Sequence, residues 1–286
     1  MLTGIPLPSL AILRVTGADA GAFLQGQLTN DTRLLADGRT QLSALNTPQG
    51  RVVAILRLRQ GGDGLYALLP ADLAEPVAAR LRKFVMRARV AVELAGDLRP
   101  VSSGETVPGS LLTFDYAPGR AVSAVPTTAS AATVNPAAAP ETADHGNEWR
   151  AADIAAGLPQ VLPETSASFV PQMLNLDLLG AISFSKGCYT GQEIVARTQH
   201  LGRIKRRSFR YRLPGGAAPA PLAPLFLDGA KVAEVVMSAT VGGAVELLAV
   251  TSLEARGHAL ETGDGREARV VEMPYPVPGG EPDPTP

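Results

Sequence analysis

Residues 186–193, with the sequence KGCYTGQE, constrain the fold most, because they combine two glycines with residues that typically begin a helix. Thr190 and Glu193 have the S/T-x-x-E spacing of a capping box, in which each side chain accepts a hydrogen bond from the other residue's backbone N–H. The pattern predicts a loop followed by a helix over 191–199, with Glu193 and Arg197 paired four residues apart.

Cys188 is the only cysteine among the 286 residues and lies just before this predicted helix. A helix N-terminus carries about half a positive charge, and Lys186 is two residues away, so both are expected to favour a thiolate over a thiol. A purely structural role is also open, since free cysteine is among the most often buried residue types. A single cysteine excludes an internal disulfide and a CxxC metal site, and it is typical of a reducing compartment.

Length and charge bound the possible functions. The chain is long enough for two or three domains, and an apolar content of 45% is ordinary for a protein with a buried core. The formal net charge of −1 gives no general attraction to nucleic acid or to acidic membranes, so such binding would need a local patch. The N-terminus has no Lys or Arg before Arg14 and too short an apolar run for a signal peptide or a span. We therefore expect a cytoplasmic protein without a membrane partner.

The first hundred residues are predicted to form an α+β domain. Thr16 and Asp19 have capping-box-like spacing before a helix that would run through Leu28. Short turns over 46–50 and 61–64 separate the following strands at hairpin spacing. Helices on one face of a largely antiparallel sheet account for the order β-α-β-β-β-α-β. The predicted strands cover 10–15, 40–45, 51–59, 65–69 and 89–94, and the second helix covers 72–84.

The middle of the chain changes in composition. Residues 117–145 are mostly Ala, Pro, Thr, Ser and Val, which bury little surface and are typical of a loop or a flexible segment. One edge strand is predicted near 121–125. A short helix over 148–156 contains the only tryptophan, Trp149, and Gly157 is expected to form its C-cap.

The C-terminal part is predicted to be a small β-barrel. Apolar and basic residues alternate over 209–213, as in a half-exposed strand, and Asp228-Gly229 between apolar flanks indicates a hairpin. The many prolines after Met273 indicate a disordered end. The predicted domains are 1–100, a shortened middle domain over 101–205, the barrel over 206–275, and a disordered tail over 276–286.

Two stretches resemble a known family. The run from Phe169 to Arg207, FVPQMLNLDLLGAISFSKGCYTGQEIVARTQHLGRIKRR in one-letter code from residue 169, is similar to the signature of the YgfZ family of folate-binding proteins. Residues 17–31, GADAGAFLQGQLTND, match a second stretch of that family in the expected order. The family is related in fold to the aminomethyltransferase (T-protein) of the glycine cleavage system. The resemblance implies ferredoxin-like α+β layers around a central opening and a small C-terminal β-barrel.

The resemblance also implies a binding site. In the family the pteridine of a folate lies in the central opening, and the cysteine motif lines this opening. The resemblance therefore implies that Cys188 is the reactive thiol and that tetrahydrofolate or a related folate is the cofactor. It implies no metal ligand. Trp149 matches a family tryptophan that contacts folate, where its π-face would stack on the pteridine, although a lone tryptophan is also a common core residue. A second family tryptophan aligns with Leu10, which keeps an apolar contact and loses the stacking. The implied folate-binding residues are Trp149, Leu10, Lys186, Tyr189, Gln192, Glu193, Arg197, Asn30 and Asp31.

Two groups of these polar residues also have simpler explanations. Asn30 and Asp31 follow a predicted helix end, so they could have turn and capping roles. The resemblance makes them candidates for the wall of the pocket instead. The densest basic stretch could bind the glutamate tail of folate or RNA phosphates, or it could be a solvated junction with Arg210 and Arg212 facing water. Its members are Arg197, Arg203, Lys205, Arg206, Arg207, Arg210 and Arg212.

The chain departs from the aminomethyltransferases where their acidic residues lie. Those enzymes carry an acidic pair where this chain has PQGRVVA over 48–54, and a pterin-contacting Glu where it has Ala155. Proton transfer to a folate amine needs a positioned acid or base, so the sequence argues against aminomethyl transfer. The resemblance implies instead the maintenance or repair of iron–sulfur enzymes, including those that methylthiolate tRNA.

The implied partners are therefore folate, iron–sulfur enzymes and cluster-assembly proteins. Clusters commonly take four thiolates, so a partner or a second copy would have to add ligands to Cys188. Whether the chain is itself an enzyme is left open, and a folate-dependent one-carbon transferase and an RNA-binding adaptor are the alternatives.

Overall fold

The structure is a computed structural model that describes residues 4–35, 38–104, 106–129, 143–200 and 204–278. The chain forms two compact units, an N-terminal unit of Met1–Thr142 with Gly180–Gln192 and a C-terminal unit of Ala143–Leu179 with Glu193–Pro286. The predicted boundaries at 100 and 205 divide the chain differently, because the stretch around Cys188 returns to the N-terminal unit. Most of the predicted tail, residues 279–286, lies outside the described residues.

The N-terminal unit contains two antiparallel sheets. The elements of this unit are β1 Ile5–Pro6, β2 Leu10–Thr16, α1 Ala20–Gln27, a 3₁₀ turn Thr32–Leu34, β3 Thr40–Asn46, β4 Val52–Gln60, β5 Gly64–Pro70, α2 Ala71–Arg82, β6 Ala91–Leu94, β7 Leu98–Ser103, β8 Leu112–Ala117 and β9 Arg120–Pro126. The first sheet has the strand order β3-β4-β5-β2-β6 and the second the order β1-β7-β9-β8. The first sheet therefore has the strands that the hydrophobic alternation predicts.

The second sheet corrects the prediction for the Ala/Pro-rich stretch. β9 pairs with β7 on one side and β8 on the other, so it is a central strand and not the predicted edge strand. Its residues from Ala121 to Val125 are all buried, although their side chains point alternately to the two faces of the sheet. Composition alone underestimates this burial, since the partners come from elsewhere in the chain. Residues 130–142 of the stretch lie outside the described residues.

α1 begins without the predicted capping box. Asp19 is its N-cap residue, but its side chain makes no capping hydrogen bond. The carboxylate instead accepts a hydrogen bond from the backbone N–H of Arg89 at 2.8 Å and pairs with the Arg89 guanidinium at 3.3 Å. The carboxylate of Asp19 therefore links the start of α1 to the segment that precedes β6.

The C-terminal unit is a closed six-stranded barrel with helices beside it. The elements are α3 Ala143–Ala155, 3₁₀ turns Pro163–Thr165 and Pro171–Leu174, α4 Gln192–His200, β10 Arg206–Pro214, β11 Pro224–Leu227, β12 Ala230–Val241, β13 Ala244–Ser252, β14 Leu260–Thr262 and β15 Glu267–Val271. The barrel order is β10-β13-β12-β11-β14-β15. The barrel core includes Tyr211, Val235, Leu247 and Leu260, which are almost completely buried.

Two predicted turns of this unit are confirmed. Gly157 has φ +64° and follows α3. The N–H groups of Gly157 and Leu158 donate to the carbonyls of Ile154 and Asp153, the paired bonds of a Schellman C-cap. The Asp228-Gly229 pair joins β11 to β12 with positive φ at both residues, as a tight hairpin turn requires. Among the described residues, no helix is long and apolar enough to cross a membrane.

Candidate functional site

Cys188 lies on a loop of the N-terminal unit whose neighbouring side chains are buried. The thiol is free and the residue is exposed, whereas Lys186 is 5% exposed and Tyr189 is 7% exposed. The loop therefore holds a buried side chain on each side of a solvent-facing sulfur. This is the exposure that the reactive interpretation of Cys188 requires, and a cysteine kept only for packing would be buried with its neighbours.

Lys186 anchors this loop to the end of α1. Its Nζ donates hydrogen bonds to the carbonyl oxygens of Gln25 at 2.7 Å, Leu28 at 2.7 Å and Asn30 at 2.8 Å. The last carbonyls of a helix have no partner within the helix, and a lysine can satisfy them. An ammonium group has three N–H donors, so Lys186 uses all of them here.

The charge of Lys186 is held in a buried environment. Burial lowers its pKa to about 8, while the nearby Asp31 carboxylate opposes this shift. The three carbonyl acceptors also favour the protonated ammonium, because they accept hydrogen bonds from it. Its Nζ is 5.1 Å from the centre of the Tyr189 ring, and burial raises the pKa of Tyr189 to about 12, so that phenol stays neutral.

Gly191 is required where the loop enters α4. Its φ is +81°, and a Cβ there would come within 2.5 Å of the Thr47 carbonyl oxygen and 2.9 Å of the Gly50 Cα. Any other residue would therefore displace the turn between β3 and β4. The N–H of Thr190 donates to the carbonyl of Gly26 at 3.3 Å, which adds a second attachment to α1.

The start of α4 differs in its cap from the prediction. Among the described contacts, Thr190 and Glu193 do not form the capping box, and Glu193 does not pair with Arg197. The Oε1 atom of Gln192 instead accepts a hydrogen bond from the N–H of Tyr189 at 3.3 Å. The predicted helix itself is found, over Gln192–His200. Glu193 and Arg197 are exposed on it.

Asn30 and Asp31 form the turn that receives the loop. The Nδ2 atom of Asn30 donates to the carbonyls of Leu42 and Gly180, both at 2.8 Å. The side chain of Asp31 pairs with the Arg33 guanidinium at 2.6 Å, which holds the pKa of that carboxyl well below its usual range. Both side chains are thus engaged in contacts of the turn. The turn also holds the segment that carries Cys188 at two points, because Asn30 bonds to the Gly180 carbonyl and accepts a hydrogen bond from Lys186.

The two residues aligned with family tryptophans are buried. Trp149 lies in α3 of the C-terminal unit and is 8% exposed. Leu10 is the first residue of β2 in the N-terminal unit and is 5% exposed. Of the implied folate-binding residues, the structure brings Lys186 into direct contact with Asn30 and Tyr189 with Gln192.

The basic stretch is largely neutralised by acids. Arg207 forms a buried ion pair with Asp177 at 2.7 Å, with side-chain exposures of 4% and 7%. Arg210 is only 15% exposed, so the prediction that it faces water is wrong, while Arg212 is 59% exposed as predicted. Both approach Glu246, at 3.9 Å and 3.4 Å, and Arg206 lies 3.9 Å from Glu234. Arg203 lies outside the described residues.

The sequence could not reveal the acceptors of Lys186. Gln25 and Asn30 precede it by 161 and 156 residues, and what these residues contribute is a backbone carbonyl, which carries no side-chain signature. Among the described residues, no group of three or more His, Cys, Asp or Glu side chains could hold a metal ion.

The fold has a close counterpart among solved structures. The crystal structure of the glycine cleavage system aminomethyltransferase T from Bartonella henselae matches 95% of this chain with a TM-score of 0.72, covering 86% of that protein at 15% sequence identity. The chain therefore has the fold of the aminomethyltransferase T class, which confirms the expected α+β arrangement with a C-terminal β-barrel.

Curated relatives identify the family. A tRNA-modifying protein YgfZ from Escherichia coli O157:H7 is 30% identical over 246 residues, which cover 77% of this chain and 74% of the relative. The protein of the same name from Yersinia pestis is 31% identical over 245 residues, covering 78% and 74%. An uncharacterized protein from Haemophilus influenzae is 35% identical over 218 residues, covering 73% of each. The chain belongs to the YgfZ family. No family model matches it.

Proposed function

We propose that this chain is a cytoplasmic protein that binds tetrahydrofolate or a related folate and supports iron–sulfur enzymes that modify tRNA, with Cys188 as its working thiol. The relatives named tRNA-modifying protein YgfZ support the link to tRNA. The observation that carries the proposal is the exposed thiol of Cys188 between the buried side chains of Lys186 and Tyr189. The partners would be iron–sulfur enzymes or cluster-assembly proteins.

The loop that carries Cys188 is attached to the N-terminal unit by a buried ammonium group. Burying an ammonium group is unfavourable unless it is fully hydrogen-bonded, and Lys186 is buried with three carbonyl acceptors. Side chains that act chemically need a support that fixes their position. The anchors of this loop would give Cys188 such support while leaving its sulfur open to a partner.

Folate would have to be held by groups that are still available for hydrogen bonding. The donors of Lys186 and Asn30 are directed at backbone carbonyls, so these residues would shape a site and not donate to a ligand. Glu193 and Arg197 are exposed one turn apart on α4. A carboxylate can accept from a pterin N–H, and a guanidinium suits the carboxylates of a glutamate tail. Trp149, at 8% exposure, would offer an edge to the ligand unless its side chain moves.

The thiol is tested by Cys188→Ala in a bacterial strain that lacks its own YgfZ protein. We expect methylthiolated nucleosides in tRNA, measured by mass spectrometry, to fall to the level of the deletion strain, while circular dichroism shows an unchanged fold. Ser185→Ala, an exposed change in the same loop, should retain wild-type levels. Full methylthiolation with Cys188→Ala would contradict the thiol assignment.

Folate binding is tested by calorimetric titration of the purified protein with tetrahydrofolate. Arg197→Gln should weaken binding by on the order of tenfold, as expected for loss of a charge-assisted hydrogen bond, and Cys188→Ala should bind as the wild type does. Quenching of Trp149 fluorescence gives an independent signal. An absence of both signals at saturating ligand would contradict the folate assignment. Turnover of an aminomethyl donor at enzyme-like rates would favour the one-carbon transferase instead.

A further inference from the structure

The 82–89 segment, RKFVMRAR in sequence, begins at the last residue of α2 and contains four cationic residues and no acid. Successive turns shape it, with backbone hydrogen bonds from Val85 to Arg82 at 3.2 Å and from Ala88 to Val85 at 2.8 Å. The segment is therefore ordered by its own backbone, although most of its side chains are exposed.

Arginines at both ends fix the segment to the N-terminal unit. Arg82 donates to the Val92 carbonyl and to the Glu75 carboxylate, each at 2.8 Å. Arg89 pairs with Asp19 at 3.3 Å. These two acids are thus engaged by the terminal arginines.

The residues between the two ends are presented to solvent. Lys83 and Arg87 are exposed, and no acidic partner for either lies among the described residues. Phe84 is 45% exposed and Met86 is 88% exposed. Over residues 83–87, two unneutralised cations therefore flank two large, exposed apolar side chains.

The backbone of this segment is strained at one highly exposed residue. Met86 has φ +40°, in the left-handed region that residues other than glycine rarely adopt. Residues held in such conformations are concentrated in functional sites, where the rest of the structure maintains them. At 88% exposure the side chain of Met86 gains little burial in exchange.

We propose that the 82–89 segment is an RNA-docking surface, with Lys83 and Arg87 contacting phosphates and Phe84 stacking on an unpaired base. Cations beside an exposed aromatic ring match the charged backbone and flat bases of single-stranded or looped RNA. With a net charge of −1, the chain as a whole does not attract RNA, so the contact must come from a local patch. The choice of tRNA as the RNA rests on the proposed function.

The experiment measures binding of bulk deacylated tRNA to the full chain by fluorescence anisotropy at several salt concentrations. The double variant Lys83→Gln/Arg87→Gln should bind about tenfold more weakly at low salt, and the slope of log affinity against log salt should fall by about 1.5. Phe84→Leu should weaken binding by on the order of fivefold with an unchanged slope, because only the stacking is lost. Circular dichroism and thermal melting check that both variants are folded.

The matched control removes the same charge elsewhere. Lys205→Gln/Arg212→Gln changes two exposed cations of the other basic stretch and should alter the affinity by less than about twofold. Wild-type affinity in Lys83→Gln/Arg87→Gln, or an absence of tRNA binding to the wild type, would overturn the proposal. Poly-glutamate that binds the segment as tightly as tRNA would also overturn it, since the surface would then recognise acidic chains in general.

Titration of the same variants with tetrahydrofolate separates this inference from the proposed function. Normal folate binding together with lost tRNA affinity in Lys83→Gln/Arg87→Gln supports the docking surface. Failure of the wild type to bind folate would contradict the proposed function and leave the tRNA result in place.

Discussion

The chain contains two basic stretches that look alike in sequence and differ in structure. Over 206–212, four arginines are each within 4 Å of a carboxylate, and one of these pairs is buried. In the 82–89 segment only the two terminal arginines are paired, while Lys83 and Arg87 face solvent without an acid among the described residues. A run of cations therefore keeps an unneutralised charge only where the fold does not bring acids to it. Here those acids come from β12, β13 and the stretch near Asp177, which no local pattern connects to β10.

The largest expected effect concerns the buried arginine of the first stretch. Arg207→Ala would leave the Asp177 carboxylate buried without its cation, and would remove donors to Gln172 and Asn175. Breaking such a pair from one side typically costs about 3–5 kcal/mol. We expect a loss of this size in the free energy of unfolding, measured with urea. Arg87→Ala, the matched change in the 82–89 segment, should cost less than about 0.5 kcal/mol. Equal losses in the two variants would remove the contrast between the stretches.

Lys186 is a third type of cation, isolated in sequence and fully engaged in the fold. Lys186→Met keeps the length of the side chain but leaves the carbonyls of Gln25, Leu28 and Asn30 without their donor. We expect the free energy of unfolding to fall by about 3 kcal/mol and amide exchange in the loop around Cys188 to accelerate. Lys231→Met, at an exposed pair with Glu234, should be almost neutral. An equally protected loop in Lys186→Met would show that the ammonium does not hold it.

A milder change tests whether the acidic partners prevent the 206–212 stretch from binding RNA. Glu246 is the shared partner of Arg210 and Arg212. Glu246→Gln keeps the shape of the side chain and removes its negative charge, so the positive charges of Arg210 and Arg212 are no longer neutralised by it. We expect about 1 kcal/mol of lost stability and severalfold tighter binding of tRNA at low salt. Unchanged binding would mean that the position of the arginines, and not their neutralisation, separates the two stretches.

Local patterns predicted the elements and missed what distant contacts decide. Alternation found β2 to β6, and the glycine at 157 and the Asp228-Gly229 pair gave the cap and the hairpin, because these signals lie within a few residues. β7, β8 and the central position of β9 were missed, since these strands are defined by their pairing with one another and not by a local alternation. The same limit applies to side-chain partners: Asp19 bonds Arg89 across 70 residues instead of capping its own helix.

In the candidate site, too, local features could be predicted from the sequence and distant contacts could not. The loop and the following helix agree with the sequence patterns. The sequence left both an exposed and a buried Cys188 open, and the structure has it exposed. The capping box is not formed, because the N–H of Thr190, which the Glu193 side chain would have to reach, donates to the Gly26 carbonyl. The role of Lys186 could not be predicted, since its three acceptors are backbone atoms of a helix end far away in sequence. The folate-binding roles stay predictions.

The smallest expected effect concerns the strain in the 82–89 segment. Met86→Gly should relieve the positive φ of +40°, and because Met86 is so exposed, little packing is lost. We expect a gain of up to about 1 kcal/mol in the free energy of unfolding, since the relief exceeds the extra chain entropy of glycine. Ala88→Gly, which lacks such strain, should instead lose about 0.5–1 kcal/mol. If Met86→Gly is more stable and also binds tRNA more weakly, Met86 lowers the stability of the wild-type chain and contributes to the docking surface. A loss of stability in Met86→Gly would show that the conformation of Met86 is not strained, and the contrast with the neutralised stretch would then depend on charge alone.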